Sequence, residues 1–270
     1  MPNINFLSLN EAICYWLGYQ IRIGRENLIH EASLRYPIAD AITSMGFSID
    51  KIVLEKQHPF FIQRYMDVAI TTTNHLSIKD EDLPNKINSI FELKLSKEST
   101  SKEFQAEHQR VLNDILRLAY FNLWSKKKAY FIMCGTYGDF KNYFVGQKNE
   151  QPTDASTDFV LPEKSKDTST TLVNEWNSEK SLYKDIFNFR VQKFSNSLSD
   201  KKESKTFVFD KTKSDFGFNS FISDYKIKIN KEFNNGLKIK TTCLSITPFE
   251  AIPSRSHACG IWQIEAIKQL

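Results

Sequence analysis

Apolar and polar residues alternate most cleanly in Ser89-Ile90-Phe91-Glu92-Leu93-Lys94-Leu95, where Phe91, Leu93 and Leu95 fall on one side and Ile90, Glu92 and Lys94 on the other. A period of two is the signature of a strand, so Glu92 and Lys94 share a sheet face. Upstream, Ile49 to Glu55 reads as a strand and His58-Pro59 as a turn. Phe60 to Thr71 reads as a longer strand, with Met66, Val68 and Ile70 on one face and Asp67 on the other. The polar stretch Asn74 to Asn85 connects it to the strand bearing Glu92.

Helical spacing dominates on either side of these strands. Ser8-Leu9-Asn10-Glu11 reads as a capping box, opening a helix that runs to about Ile23. A second helix is predicted from Glu26 to Met45, with Leu28, Ile29, Ala32, Ala39 and Ile42 inward, Gly46 as its stop, a kink allowed at Pro37, and Glu31 inside it. From Glu103 to about Lys126, Phe104, Val111, Leu112, Ile115, Leu118, Ala119 and Leu123 recur at helical spacing, and Ala129 to Cys134 is a short strand before Gly135. The predicted order is helix, three strands, helix, strand.

The second half is less patterned. Gln147 to Thr170, rich in Ser, Thr, Asp, Lys and Pro, reads as a loop or linker. A helix is predicted over roughly Leu172 to Leu198, and strand-like runs occur at Phe207–Phe209, Phe221–Ile229, Leu237–Ile246 and Gly260–Ile267. The expected division is a core over 1–146, a linker over 147–170, and an α/β extension over 171–270 for substrate binding or oligomerisation.

Composition narrows the class without naming it. Hydrophobic residues at 41% and aromatics at 13% exclude a disordered chain, and no apolar run approaches a bilayer span. The N-terminus lacks the features of a secretory signal, and Cys14, Cys134, Cys243 and Cys259 form no CxxC pair, so a cytoplasmic protein with reduced thiols and no membrane partner is expected. A net charge of +4 is compatible with a polyanionic partner but does not require one. No P-loop, GxSxG, HExxH or zinc-finger spacing occurs.

Carboxylates on adjacent strands with a lysine two residues from one of them have a chemical use. Hydrolysis of a phosphodiester needs an activated water and a sink for charge, which Mg²⁺ held by oxygen ligands supplies. Asp67 in Arg64-Tyr65-Met66-Asp67-Val68-Ala69-Ile70 and Glu92-Leu93-Lys94 in Ile90-Phe91-Glu92-Leu93-Lys94-Leu95 resemble the motif of the PD-(D/E)XK nuclease superfamily, the restriction-endonuclease-like fold. The resemblance covers residues 25 to about 135. It implies a mixed central sheet flanked by helices, with Asp67 and Glu92 as metal ligands. Lys94 would position or help deprotonate the attacking water, and Glu31 would complete the metal shell. It further implies a Mg²⁺-dependent nuclease in which Mn²⁺ substitutes, with DNA favoured over RNA and endonuclease over exonuclease action. A homodimer would set two sites on two strands, and prokaryotic antiviral defence, alone or with a partner protein, is the expected setting. Met66 replaces the family's usual proline, and Gln105 and Gln109 are the nearest counterparts of the polar residue often found on the following helix.

Plainer readings stand beside this one. The acidic-x-lysine triplet recurs at Asp139, Asp200, Glu203 and Asp224, and Asp224-Tyr225-Lys226, with Asp210 or Asp215 upstream, is the rival site. Asp67 could pair with Arg64 or Lys94, and Glu31 with Arg35, as surface ion pairs. His30 reads as a surface or satisfied group, His58 as a turn residue and His108 as solvated. Lys126-Lys127-Lys128 reads as a helix end, and Lys201, Lys202, Lys205, Lys211 and Lys213 as a solvated basic loop that could also meet phosphates. The competing function is a non-catalytic relative of the fold that binds nucleic acid or a defence partner.

Overall fold

A computed structural model describes residues 2–79, 81–96, 101–136, 204–210, 221, 225–228, 232–233, 236–246 and 257–269. Helix α1 spans Phe6–Arg22 and α2 Arg35–Ser44, followed by strands β1 (Ile52–Gln57) and β2 (Tyr65–Thr71). The one-turn helix α3 (Leu83–Lys86) leads into β3 (Ile87–Ser96), then α4 (Ser101–Ser125) and β4 (Lys128–Thr136). Strands β5 (Ser204–Asp210), β6 (Gly236–Ile246) and β7 (His257–Gln269) complete the described elements. All seven strands form one sheet in the order β1-β2-β3-β4-β7-β6-β5. Among the described strands only β3 and β4, with α4 between them in the chain, run parallel. The protein is thus a mixed α/β structure, and the helix, three strands, helix, strand order expected of the first half is observed within it.

The sheet lies between two apolar layers. In β4, Ala129, Phe131 and Met133 enter the cluster beneath α4, while Tyr130, Ile132 and Cys134 enter the cluster beneath α1 and α2. A central strand covered on both faces therefore reads as a continuous apolar run, and Gly135 does not end it, because it still pairs with Ala258 of β7. Among the described residues no helix is long and apolar enough to cross a membrane.

Several boundaries differ from the sequence expectation for local reasons. Helix α1 is capped by Asn5, whose Oδ1 accepts from the Leu7 and Ser8 amides at 3.1 and 3.2 Å, so Ser8 lies inside the helix. The single helix expected over 26–45 is broken into turns at Glu26–Leu28 and Glu31–Leu34 followed by α2. Pro37 explains the late start, since its missing amide is harmless in the first turn of α2 but would leave a gap in a longer helix. Gly46, at φ 92°, ends α2 as expected, with the Phe47 amide reaching back to the Ile42 carbonyl. Of the run Phe221–Ile229, Phe221 and Tyr225–Lys228 are described: the Tyr225 amide bonds the Phe221 carbonyl, a helical-turn spacing, and Ile227 makes an isolated bridge to Phe61.

The stretch Gln147–Thr170, the helix read over Leu172–Leu198, Asp139, Asp200, Glu203, Asp215, Asp224, and Lys201, Lys202, Lys211 and Lys213 lie outside the described residues, as do the expected domain boundaries. The side chains of Lys205, Gln105, His108 and Gln109 lie outside them too.

Candidate active site

Strands β2 and β3 pair from Thr71 back to Val68, opposite Phe91, and then part. At the parting the Asp67 carboxylate takes the place of a ladder carbonyl: its Oδ2 accepts the Leu93 amide at 2.9 Å. The alternation along β2 changes phase at this residue, with Val68 and Ile70 in the cluster under α1 and α2 but Met66 in the cluster under α4. The expected shared face of Met66, Val68 and Ile70 is therefore corrected. The opposing residue in β1, Glu55, lies between the pairs Leu54–Val68 and Lys56–Met66 and has φ 55°, a left-handed conformation that an L-residue adopts at a cost of about 1 kcal/mol.

Glu92 and Lys94 do share a face, the one beneath α4, and both are buried. Arg117 of α4 grips Glu92 with a two-pronged contact, Nε to Oε1 at 3.0 Å and Nη2 to Oε2 at 2.6 Å. The same Nη2 donates to Asp114 Oδ1 at 2.8 Å, and Nη1 donates to the Tyr225 hydroxyl at 3.1 Å. Lys94 Nζ lies between two carboxylates, 3.2 Å from Glu31 Oε2 and 3.3 Å from Asp114 Oδ2. Arg35 donates from Nε and Nη2 to Asp67 Oδ1 at 3.1 and 2.7 Å, and its Nη1 lies 3.2 Å from Glu55.

Glu31 occupies the first position of a short turn, after His30, whose Nδ1 accepts the Ser33 amide. It thus lies in a short 3-10 turn that runs into α2 rather than within one continuous α-helix, and it meets Lys94 rather than Arg35. The ion pairs proposed for Asp67 with Arg64 or Lys94 are likewise replaced by Arg35. Arg64 instead stacks on the Tyr225 ring, 4.4 Å from its centroid. Tyr225 thereby belongs to this locus, while Lys226 is exposed and off any strand, and Asp224 and Asp215 of the rival site lie outside the described residues.

The locus is acid-rich. Glu31, Glu55, Asp67, Glu92 and Asp114 face Arg35, Lys94 and Arg117, a formal excess of two negative charges. Desolvation raises the Glu92 carboxyl well above the ordinary range; Arg117 pulls the other way, and Asp67 and Asp114 add to the rise. Desolvation also raises Glu31, against the pull of Lys94. Burial raises the Cys134 and Cys259 thiols, which leaves them unreactive.

For a divalent cation the donor chemistry is right, since every acidic side chain here offers hard oxygen. Among the described residues no three His, Cys, Asp or Glu side chains are grouped tightly enough to hold a metal as they stand, and guanidinium groups pair with Asp67 and Glu92. Asp67 Oδ1 already accepts two hydrogen bonds from Arg35, whereas Asp67 Oδ2 and both Glu92 oxygens accept one each and keep a lone pair; with Glu31 these are the oxygens open to a cation.

Asp114 and Arg117 were missed in the sequence, although a signal was present. From Val111 to Phe121 the helix is apolar all round except at Asn113, Asp114 and Arg117, so these charges have no solvated face to occupy. Comparison with protein-family models, curated proteins and solved structures finds no match for this chain.

Proposed function

We propose that this protein is a Mg²⁺-dependent nuclease of restriction-endonuclease-like fold, hydrolysing phosphodiester bonds in the cytoplasm, with DNA favoured over RNA as its substrate. One observation carries the reading: β2 and β3 part at Asp67, whose carboxylate then lies beside the buried Glu92 and Lys94 in an acid-rich locus that Glu31, half-buried, borders through Lys94. A bound Mg²⁺ supplies a water of lowered pKa and a counter-charge for the phosphate. Lys94, restrained between Glu31 and Asp114, holds a proton donor beside the carboxylates, where it orients water or steadies the leaving oxygen. Endonuclease action, a homodimer and a place in defence against phage or foreign DNA extend the proposal by resemblance alone.

Incubation with supercoiled plasmid, linear DNA and single-stranded RNA, in Mg²⁺ or Mn²⁺, tests it. DNA cleavage that Lys94→Ala lowers by about a hundredfold or more is the expected result. No cleavage, or equal cleavage by the variant, refutes it.

The second reading is a non-catalytic relative that binds nucleic acid or a defence partner. It draws support from a specific observation: all four oxygens of Asp67 and Glu92 already accept hydrogen bonds, from Arg35, the Leu93 amide and Arg117. Retention of DNA on a shift gel by a protein that cleaves nothing in either metal would favour it.

A further inference from the structure

We propose that Asp114 and Arg117 of α4 are positioning residues that clamp Glu92 and Lys94 from the helix side, with the Tyr225 hydroxyl holding Arg117 in place. The inference rests on the nuclease reading and deepens it.

The matching of the two elements is reciprocal. Two residues along a strand advance roughly 6.6 Å and return to the same face. Three residues along a helix advance about 4.5 Å and return to nearly the same side. Asp114 and Arg117 therefore present a charge pair of similar span to Glu92 and Lys94, with the signs crossed: the helix acid meets the strand base at 3.3 Å, and the helix base meets the strand acid at 2.6 Å.

Each contact removes a specific freedom. A guanidinium bound through Nε and Nη2 fixes both the position and the plane of the Glu92 carboxylate, which a point charge cannot do. Lys94 ends a flexible four-carbon stem, and two carboxylates from different elements, Glu31 and Asp114, restrain its ammonium. Asp114 also accepts from Arg117, so the two halves of the clamp brace each other. Tyr225 takes the remaining guanidinium arm. It is anchored by stacking on Phe221 at 4.0 Å between centroids and by backbone bonds from Ile62 to Lys226 and from Lys228 to Phe60. Glu92, Lys94, Asp114, Arg117 and Tyr225 are buried, where such hydrogen bonds are strong and their loss is costly, while Glu31 reaches Lys94 from a half-buried position.

The test uses the full chain with Asp114→Asn, which is isosteric, and Arg117→Lys, which keeps the charge and removes the fork. Circular dichroism and thermal melting check folding. Each variant is expected to lose about 10- to 100-fold in kcat with KM for plasmid DNA changed less than about twofold, the pattern of a group that orients catalytic residues. Arg117→Lys is also expected to weaken Mn²⁺ binding, followed by paramagnetic resonance of the free ion, by about tenfold; charge is conserved, so the loss reports orientation. Wild-type kcat in the variants, an effect on KM alone, or unchanged or tighter Mn²⁺ binding overturns the clamp. If Arg117→Lys does not fold, Asp114→Asn decides. A wild-type protein that neither binds Mn²⁺ nor cleaves overturns the nuclease reading and the clamp together, whereas an active wild type with equally active variants overturns the clamp alone.

Discussion

His58 shows how far one residue's surroundings can depart from its local sequence. Before Pro59 it reads as a turn residue, yet it is fully buried among the rings of Phe60, Phe61 and Phe121, with Nδ1 accepting the Phe60 amide at 3.1 Å. Burial, with Arg117 and Lys228 nearby, holds its pKa well below 6.5, so the folded protein keeps the ring neutral where the unfolded chain takes up a proton. The unfolded state then binds more protons than the folded state as pH falls below 6.5. This stability is complete above that value and is lost below it, by up to about 1.4 kcal/mol per pH unit. Urea midpoints at pH 7.5 and 5.5 should fall more steeply for wild type than for His58→Phe, which fills the same aromatic surroundings without a titrating group.

At the scale of elements, the end of α4 gives a clean case. Lys126-Lys127-Lys128 reads as a helix end, and α4 does stop there: its last residue is Ser125, and Lys126 takes φ 59°, its amide bonding the Asn122 carbonyl at 2.8 Å. A glycine adopts that conformation freely, and Lys126 is exposed, so Lys126→Gly should raise stability by about 1 kcal/mol, read from the thermal midpoint. The same contrast separates what was legible from what was not. Strand β3 could be read because Phe91, Leu93 and Leu95 alternate with Glu92 and Lys94, and α4 because its apolar positions recur at helical spacing. The breaks before α2 were harder, since a proline inside an apolar helical pattern marks either a kink or a first turn, and only tertiary packing selects between them. Asp67 was legible as a strand carboxylate, but not its seat between β2 and β3. That seat depends on where two strands cease to pair, which no residue in either one announces. Its partnership with Arg35, and that of Glu92 with Arg117, join elements distant in sequence; helical spacing instead suggested the local pair Glu31–Arg35.

At the scale of the whole molecule, the seven-stranded sheet unites the two ends of the chain, with β7 inserted between β4 and β6. Gly260 on β7 pairs with Met133 of β4 and Ile246 of β6, and the fully buried Trp262 ring lies where a Cβ on Gly260 would project. Gly260→Ala should therefore overpack the middle of the sheet and destabilise the protein by about 1–3 kcal/mol or more, seen as a lowered melting temperature. The effect should reach the candidate site only through loss of folding, since Gly260 touches none of its charged groups in the bonds described.

The insertion of β7 also sets an order in time. Strand β4 is made long before its second neighbour, so during synthesis its free amides and carbonyls wait beside Phe131, Ile132 and Met133 until β7 emerges. A nascent chain paused in that interval carries an apolar edge able to pair with another copy of itself. What the finished protein holds as an inner seam is, for the growing chain, an open strand edge.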